Sequence, residues 1–217
     1  RATESDDVQV LIIAGRDTHP PGTHEAAAGA RVMKFCLENA ANMQPVKVAL
    51  CDQWPKDRDL LTSVSTIVFI GDLFPPERME FRDRIMAQLS RMMDRGCGIV
   101  CVHYATGLRT QHVTQEGYHP LLDWLGGYFA SGCPHHRSVA RVLTSTIKPE
   151  DVRHPVLRGW QQFTFDDEPY WKNYFGKDGP AENVTSLAYT MLPADDPQKE
   201  TVVWATERKD GGRGVGI

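Results

Sequence analysis

Most of the signatures that assign a function at sight are missing from this chain of 217 residues. No apolar run approaches the ~20 residues that a membrane-spanning helix needs. The longest, Val8 to Ala14, Thr66 to Ile70 and Ile99 to Val102, are of strand length, so a membrane partner is not expected. No cluster of Lys and Arg stands out and the formal net charge is -4, which argues against a nucleic-acid partner. There is no Gly-x-Ser-x-Gly, no phosphate loop and no Gly-x-Gly-x-x-Gly after a strand. The five cysteines (Cys36, Cys51, Cys97, Cys101 and Cys133) are odd in number and contain no Cys-x-x-Cys. They read as small buried hydrophobes with free thiols rather than a disulfide framework. No leader is visible and the chain opens on Arg1 rather than Met. That start fits a cytoplasmic protein or an exported one whose signal peptide has been removed.

What is present is an α/β pattern. With 41% hydrophobic and 24% charged residues the composition is that of an ordinary soluble domain, and one large α/β domain over 1–217 is expected. Val8 to Ala14 reads as a buried strand stopped by Gly15, and a Pro-, Gly- and His-rich loop follows from Arg16 to Thr23. A helix is predicted from His24 and Glu25 to about Ala41, with Ala28, Val32, Phe35, Cys36 and Asn39 at helical spacing. Strands are predicted at Val46 to Cys51, Thr66 to Ile70 and Gly98 to Val102. Pro75-Pro76-Glu77 opens a second helix, lined by Phe81, Ile85, Leu89 and Met92. This alternation predicts a mostly parallel sheet with helices on both faces. A short helix is expected at His119 to Leu125, ended by Gly126-Gly127. Beyond it the chain reads as strands (Ser138 to Leu143, Gln161 to Phe165, Thr185 to Tyr189, Thr201 to Ala205), with a hairpin turn at Gly211 to Gly214. The final strand, Gly214 to Ile217, stops without a turn or helix after it and reads as a cut end.

The chemistry gathers where these strands end. In open α/β sheets, ligands bind beyond the carboxyl ends of the strands. His103 sits at such an end, where some α/β enzymes place a nucleophilic Ser or Cys. His19, His24 and Glu25 follow the first strand and overhang the same edge, and the His-Glu pair suits a helix start able to cap amides. Asp166, Asp167 and Glu168 follow a later strand. Clustered carboxylates raise one another's pKa and can supply an acid and a base, or bind a cation. Tyr170 and Trp171 beside them suit the C–H faces of a sugar ring. Cys133-Pro134-His135-His136 is a weaker metal signal, because adjacent residues on a strand point to opposite faces. His154-Pro155 reads as a turn, and Cys101 as a buried thiol and a poor nucleophile.

Taken in order, these segments resemble the trehalose-utilisation (ThuA-like) family. The resemblance rests on Ala14-Gly15 with His19, Gly22, His24 and Glu25, and on Gly98 to Ala105 with His103. It continues through Leu122 to Phe129, His154-Pro155 with Gly159, Asp167-Glu168 with Tyr170, and Trp204-Ala205 with Gly212-Arg213-Gly214. It implies a flavodoxin-like three-layer sandwich of the class I glutamine amidotransferase type. The position of the amidotransferase nucleophile holds His103, so amidotransferase activity is not expected. The resemblance implies a small carbohydrate partner and a hydrolase-like or lyase-like enzyme acting on a glycoside or keto-sugar. In that scheme His103, Glu168 and Asp167 are catalytic, and His19, His24, Glu25, Tyr104 and Tyr170 bind substrate. A divalent metal such as zinc fits candidates His103, His24 and Glu168. The family pattern continues past Ile217 into a segment containing a further site histidine. A homo-oligomer is compatible with this reading, and a non-catalytic sugar-binding or interaction module is the alternative.

Overall fold

The computed structural model describes residues 8–16, 18–74 and 79–217. The chain divides into two compact units, one ending at Ala105 and the other beginning at Thr106.

The first unit runs β1 (Val8–Ala14), α1 (Ala26–Glu38), β2 (Val46–Cys51), α2 (Arg58–Ser63), β3 (Thr66–Ile70), α3 (Arg82–Asp94) and β4 (Gly98–Val102). Its strands lie in the order β2-β1-β3-β4, and every pair is parallel. The chain steps one way from β1 to β2 and the other way from β3 to β4. Right-handed crossovers therefore put α1 and α3 on opposite faces. One face is Val10, Ile12, Ala14, Val48 and Val68, packed with Ala30, Met33 and Leu37 of α1. The other carries Leu11, Ile13, Ile67, Phe69, Ile99 and Cys101, all at most 1% exposed. The expected opening of the second helix at Pro75-Pro76-Glu77 lies outside the described residues; α3 is helical from Arg82.

Helix α1 is rotated from the expected register. Its core face is Ala26, Ala30, Met33 and Leu37, whereas Val32 and Phe35 are 62% and 67% exposed. Close approach explains the rotation, since a Cβ on Gly29 would lie 3.2 Å from Ile70 Cδ1. Only small side chains fit between the first turns of α1 and the sheet, so the bulky residues turn outward. Cys36 lies on that outer face and is exposed, against the expectation of a buried thiol.

The second unit comprises β5 (Gly107–Arg109), α4 (Pro120–Leu125), β6 (Phe129–Ser131), β7 (Val139–Ala140), β8 (Leu143–Pro149), β9 (Phe163–Asp167), β10 (Tyr170–Trp171), β11 (Val184–Leu192), β12 (Gln198–Glu207) and β13 (Arg213–Gly216). Strands β13-β12-β11-β8-β9 are antiparallel throughout. The α/β class holds, but strand pairing is mixed rather than mostly parallel. The connections 193–197 and 208–212 are hairpins, far shorter than the dozen or so residues a parallel crossover needs. The strand expected from Ser138 to Leu143 is broken into β7 and the start of β8. The core here is Ile147, Leu157, Leu187, Ala188, Val202 and Val203. Helix α4 is pinned by Trp204, whose buried Nε1 donates to Leu125 O at 2.8 Å. Gly216 leaves room for that indole, because a Cβ there would come within 2.2 Å of it.

Candidate functional site

Register sets the geometry of the first unit's site. Ala14 pairs with Ile70, and Ile70 with Val102, so the carboxyl ends of β1, β3 and β4 are level. The next residues, Gly15, Gly71 and His103, start the three loops at one height. The chain reverses its strand order at β1 and β3, and such a switch point leaves a crevice between the outgoing loops. Two glycines let these loops touch. Gly15 N donates to Ile70 O at 2.7 Å, and a Cβ on Gly15 would lie 2.4 Å from Leu73 N. Gly71 takes φ +89° and lies against Gly15 O and Ala26 Cβ.

His103 adopts φ +52° at the strand tip, a left-handed backbone uncommon outside glycine. The turn His103–Thr106 then swings its side chain off the strand direction. The backbone at this tip behaves like a nucleophile elbow while carrying an imidazole. Around it gather the half-buried residues His19, His24 and Tyr104. The ring centroid of His24 lies 4.2 Å from His19, 5.2 Å from His103 and 5.1 Å from Tyr104. His19 Nε2 lies 2.8 Å from the Tyr104 hydroxyl.

The loops fix these side chains through their own hydrogen bonds. Pro20 O accepts from the Thr23 amide at 3.2 Å and from its hydroxyl at 2.6 Å, closing the turn between His19 and His24. Glu25 does not cap α1. Its Oε1 instead accepts from Gly22 N at 2.8 Å, so the carboxylate braces the loop. The buried Nδ1 of His24 has no hydrogen-bond partner, and such an atom is a ready ligand or proton acceptor. Two imidazoles bound tetrahedrally to one zinc ion hold their centroids about 5 Å apart. The 5.2 Å between His24 and His103 therefore fits a shared divalent ion.

Asp72 directly follows Gly71 beyond β3, in a Gly-Asp pair that by sequence marks only a strand end. Its Oδ2 accepts from the Thr18 amide at 3.2 Å and from the Thr18 hydroxyl, and lies 4.0 Å from His19 Nδ1. Its place beyond β3, next to the first loop at the switch point, is the signal that could have found it. Cys101, two residues before His103, is fully buried, and that burial pushes its thiol well up. A thiolate nucleophile is thereby disfavoured.

In the second unit Asp166 and Asp167 belong to β9 rather than follow it. Thr144 donates its hydroxyl to Asp166, and Asp167 Oδ1 accepts from Glu168 N at 2.8 Å. Glu168 is half-buried in the turn before β10. Tyr170 is only 9% exposed and packs on Phe129 at a ring distance of 4.1 Å, so its aromatic face is taken up by the core. His135 and His136 lie in a loop, not on a strand, so the opposite-face reading fails. Their rings lie 4.8 Å and 5.2 Å from that of Tyr174. His119 and His154 each precede a proline, and each Nδ1 accepts the amide two residues on, capping α4 and the turn at Pro155–Leu157.

A parallel α/β unit with imidazoles at its switch point, followed by a mainly antiparallel unit in which only β5 and β6 pair in parallel among the described strands, defines the class of fold. Among solved structures it is similar to a protein from Bacteroides uniformis described as ThuA-like. That match has a TM-score of 0.57 at 16% identity and covers 95% of this chain and 82% of that one. Two cytoplasmic proteins from Salmonella typhimurium are similar at TM-scores of 0.57 and 0.59, with 12% and 13% identity. Each covers 97% of this chain and 87% of the other. The α/β fold expected from the sequence is thus observed, with mixed rather than mostly parallel strand pairing. No protein-family model matches the chain, and no curated protein does. Among the described residues, no helix is long and apolar enough to cross a membrane.

Proposed function

We propose that this chain is a ThuA-like carbohydrate-active enzyme that acts on a glycoside or keto-sugar. The observation that carries the reading is the meeting of His19, His24, His103 and Tyr104 at the level ends of β1 and β4. Imidazole exchanges protons near neutral pH, and sugar hydroxyls and carbonyls are the groups on which such exchange acts. His103 is the general acid/base or a metal ligand. His19, His24, Glu25 and Tyr104 orient substrate. A divalent ion such as zinc would be held by His24 and His103. Such an ion polarises a carbonyl or acidifies a water.

The test is turnover of a panel of glycosides and keto-glycosides by the full chain, with and without added zinc. Alongside it, sugar affinity and zinc affinity are measured by calorimetry. His103→Ala is expected to lower turnover at least ~100-fold while sugar affinity persists. His24→Ala and His103→Ala are expected to weaken zinc binding. Turnover unchanged in His103→Ala removes that residue from the mechanism. Sugar affinity with no turnover in the wild type would favour a binding module.

A further inference from the structure

A second opening lies on the same edge of the first unit's sheet, one strand over from the imidazoles. Ile13 pairs with Cys51, so the carboxyl end of β2 is level with that of β1. Between these strand ends and α1 lies a cleft of about 470 Å³, in the range of small-molecule sites. Ala14 and Ala27 contribute only methyl groups to its lining, whereas Arg31, Asp52 and Trp54 contribute a guanidinium, a carboxylate and an indole. Trp54 is half-buried and held in place, its Nε1 donating to Gln88 Oε1 at 2.9 Å. With that N–H already bonded, the indole offers a ligand its ring surface and no hydrogen bond. Neither the Arg31 nor the Asp52 side chain makes a hydrogen bond or ion pair with another described residue, although both line one cleft. A guanidinium only donates and a carboxylate only accepts. The pair is therefore open to a ligand that brings an acid group for one and hydroxyls for the other.

We propose that this cleft binds an anionic sugar, a pyranose carrying a carboxylate or a phosphate. The C–H face of the ring lies on Trp54, the acid group pairs with Arg31, and ring hydroxyls donate to Asp52. Simpler occupants match less of the lining. A neutral sugar leaves the guanidinium unmatched, a bare anion leaves the indole uncovered, and a flat aromatic acid gives Asp52 nothing to accept. The cleft shares no lining residue with the cluster of His19, His24, His103 and Tyr104, so it stands whether or not that cluster is catalytic.

The test is titration of the full chain, followed through the indole N–H of Trp54 in nitrogen–proton correlation spectra and assigned with Trp54→Phe. The ligands are glucuronate, glucose 6-phosphate, glucose, benzoate and inorganic phosphate. At least one of the two acidic sugars is expected to move that signal saturably and to bind at least ~10-fold more tightly than glucose, the factor expected of one charge-assisted hydrogen bond. A preference between the two identifies the acid group and supports the proposal. Arg31→Gln is expected to erase the advantage over glucose, and Asp52→Ala to bring the affinities for the acidic sugar and benzoate together. Both side chains are exposed, so the melting temperature should not change. His103→Ala protein is expected to bind the acidic sugar as wild type does; loss of binding there would put the ligand at the imidazoles and overturn the proposal. Glucose or benzoate binding as tightly as the acidic sugars overturns it too, as does a Trp54 signal that no sugar moves. Inorganic phosphate moving the signal equally at the same concentration reduces the cleft to an adventitious ion only, which is likewise a refutation.

Discussion

Replacing Gly15 by alanine tests whether the site depends on the close approach of the loops after β1 and β3. Alanine demands no unusual backbone here, so the expected damage is steric. The new Cβ would lie 2.4 Å from Leu73 N, 2.7 Å from Leu73 Cβ and 3.0 Å from Asp72 N. The shortest of these is about 1 Å inside ordinary contact, and the crowded atom is backbone, which cannot rotate away. Overpacking of this kind costs about 1–3 kcal/mol, and the lower entropy of the unfolded alanine chain returns about 0.4–1 kcal/mol. A net loss of about 1.3 kcal/mol corresponds to a melting temperature roughly 3–5 °C lower for a chain of this size. The strain falls on Leu73 and Asp72, so the loop carrying Asp72 moves away from Thr18 and His19. Faster amide exchange at Gly15, whose N–H bonds Ile70 O, should accompany the loss. Gly22→Ala is the control. Nothing lies within 4 Å of its Cβ position, and only the φ of +85° opposes it, at about 1 kcal/mol. A Gly15→Ala protein melting within 1 °C of wild type, with His19 ring signals unmoved, would refute the reasoning (~1 °C being below 0.5 kcal/mol here).

Three further outcomes follow from packing and titration. Phe35→Ser and Val32→Ser should each change the unfolding free energy by less than ~0.5 kcal/mol, whereas Leu89→Ala, fully buried on α3, should cost about 2–5 kcal/mol in urea denaturation. Equal losses would mean that α1 buries the other face. Thiol labelling followed by mass spectrometry of native protein should modify Cys36 first and leave Cys101 untouched until unfolding, because one is exposed and the other buried with a raised thiol pKa. Burial, and secondarily the nearby His136, holds the His135 imidazole below its ordinary value. The unfolded chain then takes up that proton first, so this contribution is complete above about pH 6.5 and is lost as pH falls through the lowered folded value. The urea midpoint should drop as pH falls below about 6.5, and His135→Gln should flatten that limb.

How much of this was legible in the sequence depended on whether a feature was local. The ends of buried strands are sharp because apolar runs stop at Gly15, Gly71 and His103, and all three stops were read where they occur. The hairpin at Gly211 to Gly214 was readable for the same reason, with Arg208 N donating to Gly212 O at 2.8 Å. Orientation was not local. Val32, Phe35 and Cys36 form a convincing apolar stripe, yet the face of α1 on the sheet is Ala26, Ala30, Met33 and Leu37, and no periodicity within α1 decides between the two faces. Tyr170 looked like a sugar platform because aromatic residues beside carboxylates read the same whether they face solvent or, as here, Phe129.

Asp72 shows where the two kinds of information meet. By itself Gly71-Asp72 is a turn like many others. It becomes a site residue only when Ala14 is level with Ile70 and Ile70 with Val102, because that register brings the loop after β3 against the loop after β1. The sequence marks each strand end, but the register that aligns them is set by side chains on both faces of the sheet. The same reasoning explains why His103 was found and its backbone was not. A histidine after Val102 is visible in the sequence, while φ +52° is imposed by the turn that carries the chain on through Thr106. A strained tip is worth keeping only where the side chain must leave the strand direction. His103 leaves it toward His24, whose ring lies 5.2 Å away and whose buried Nδ1 has no hydrogen-bond partner.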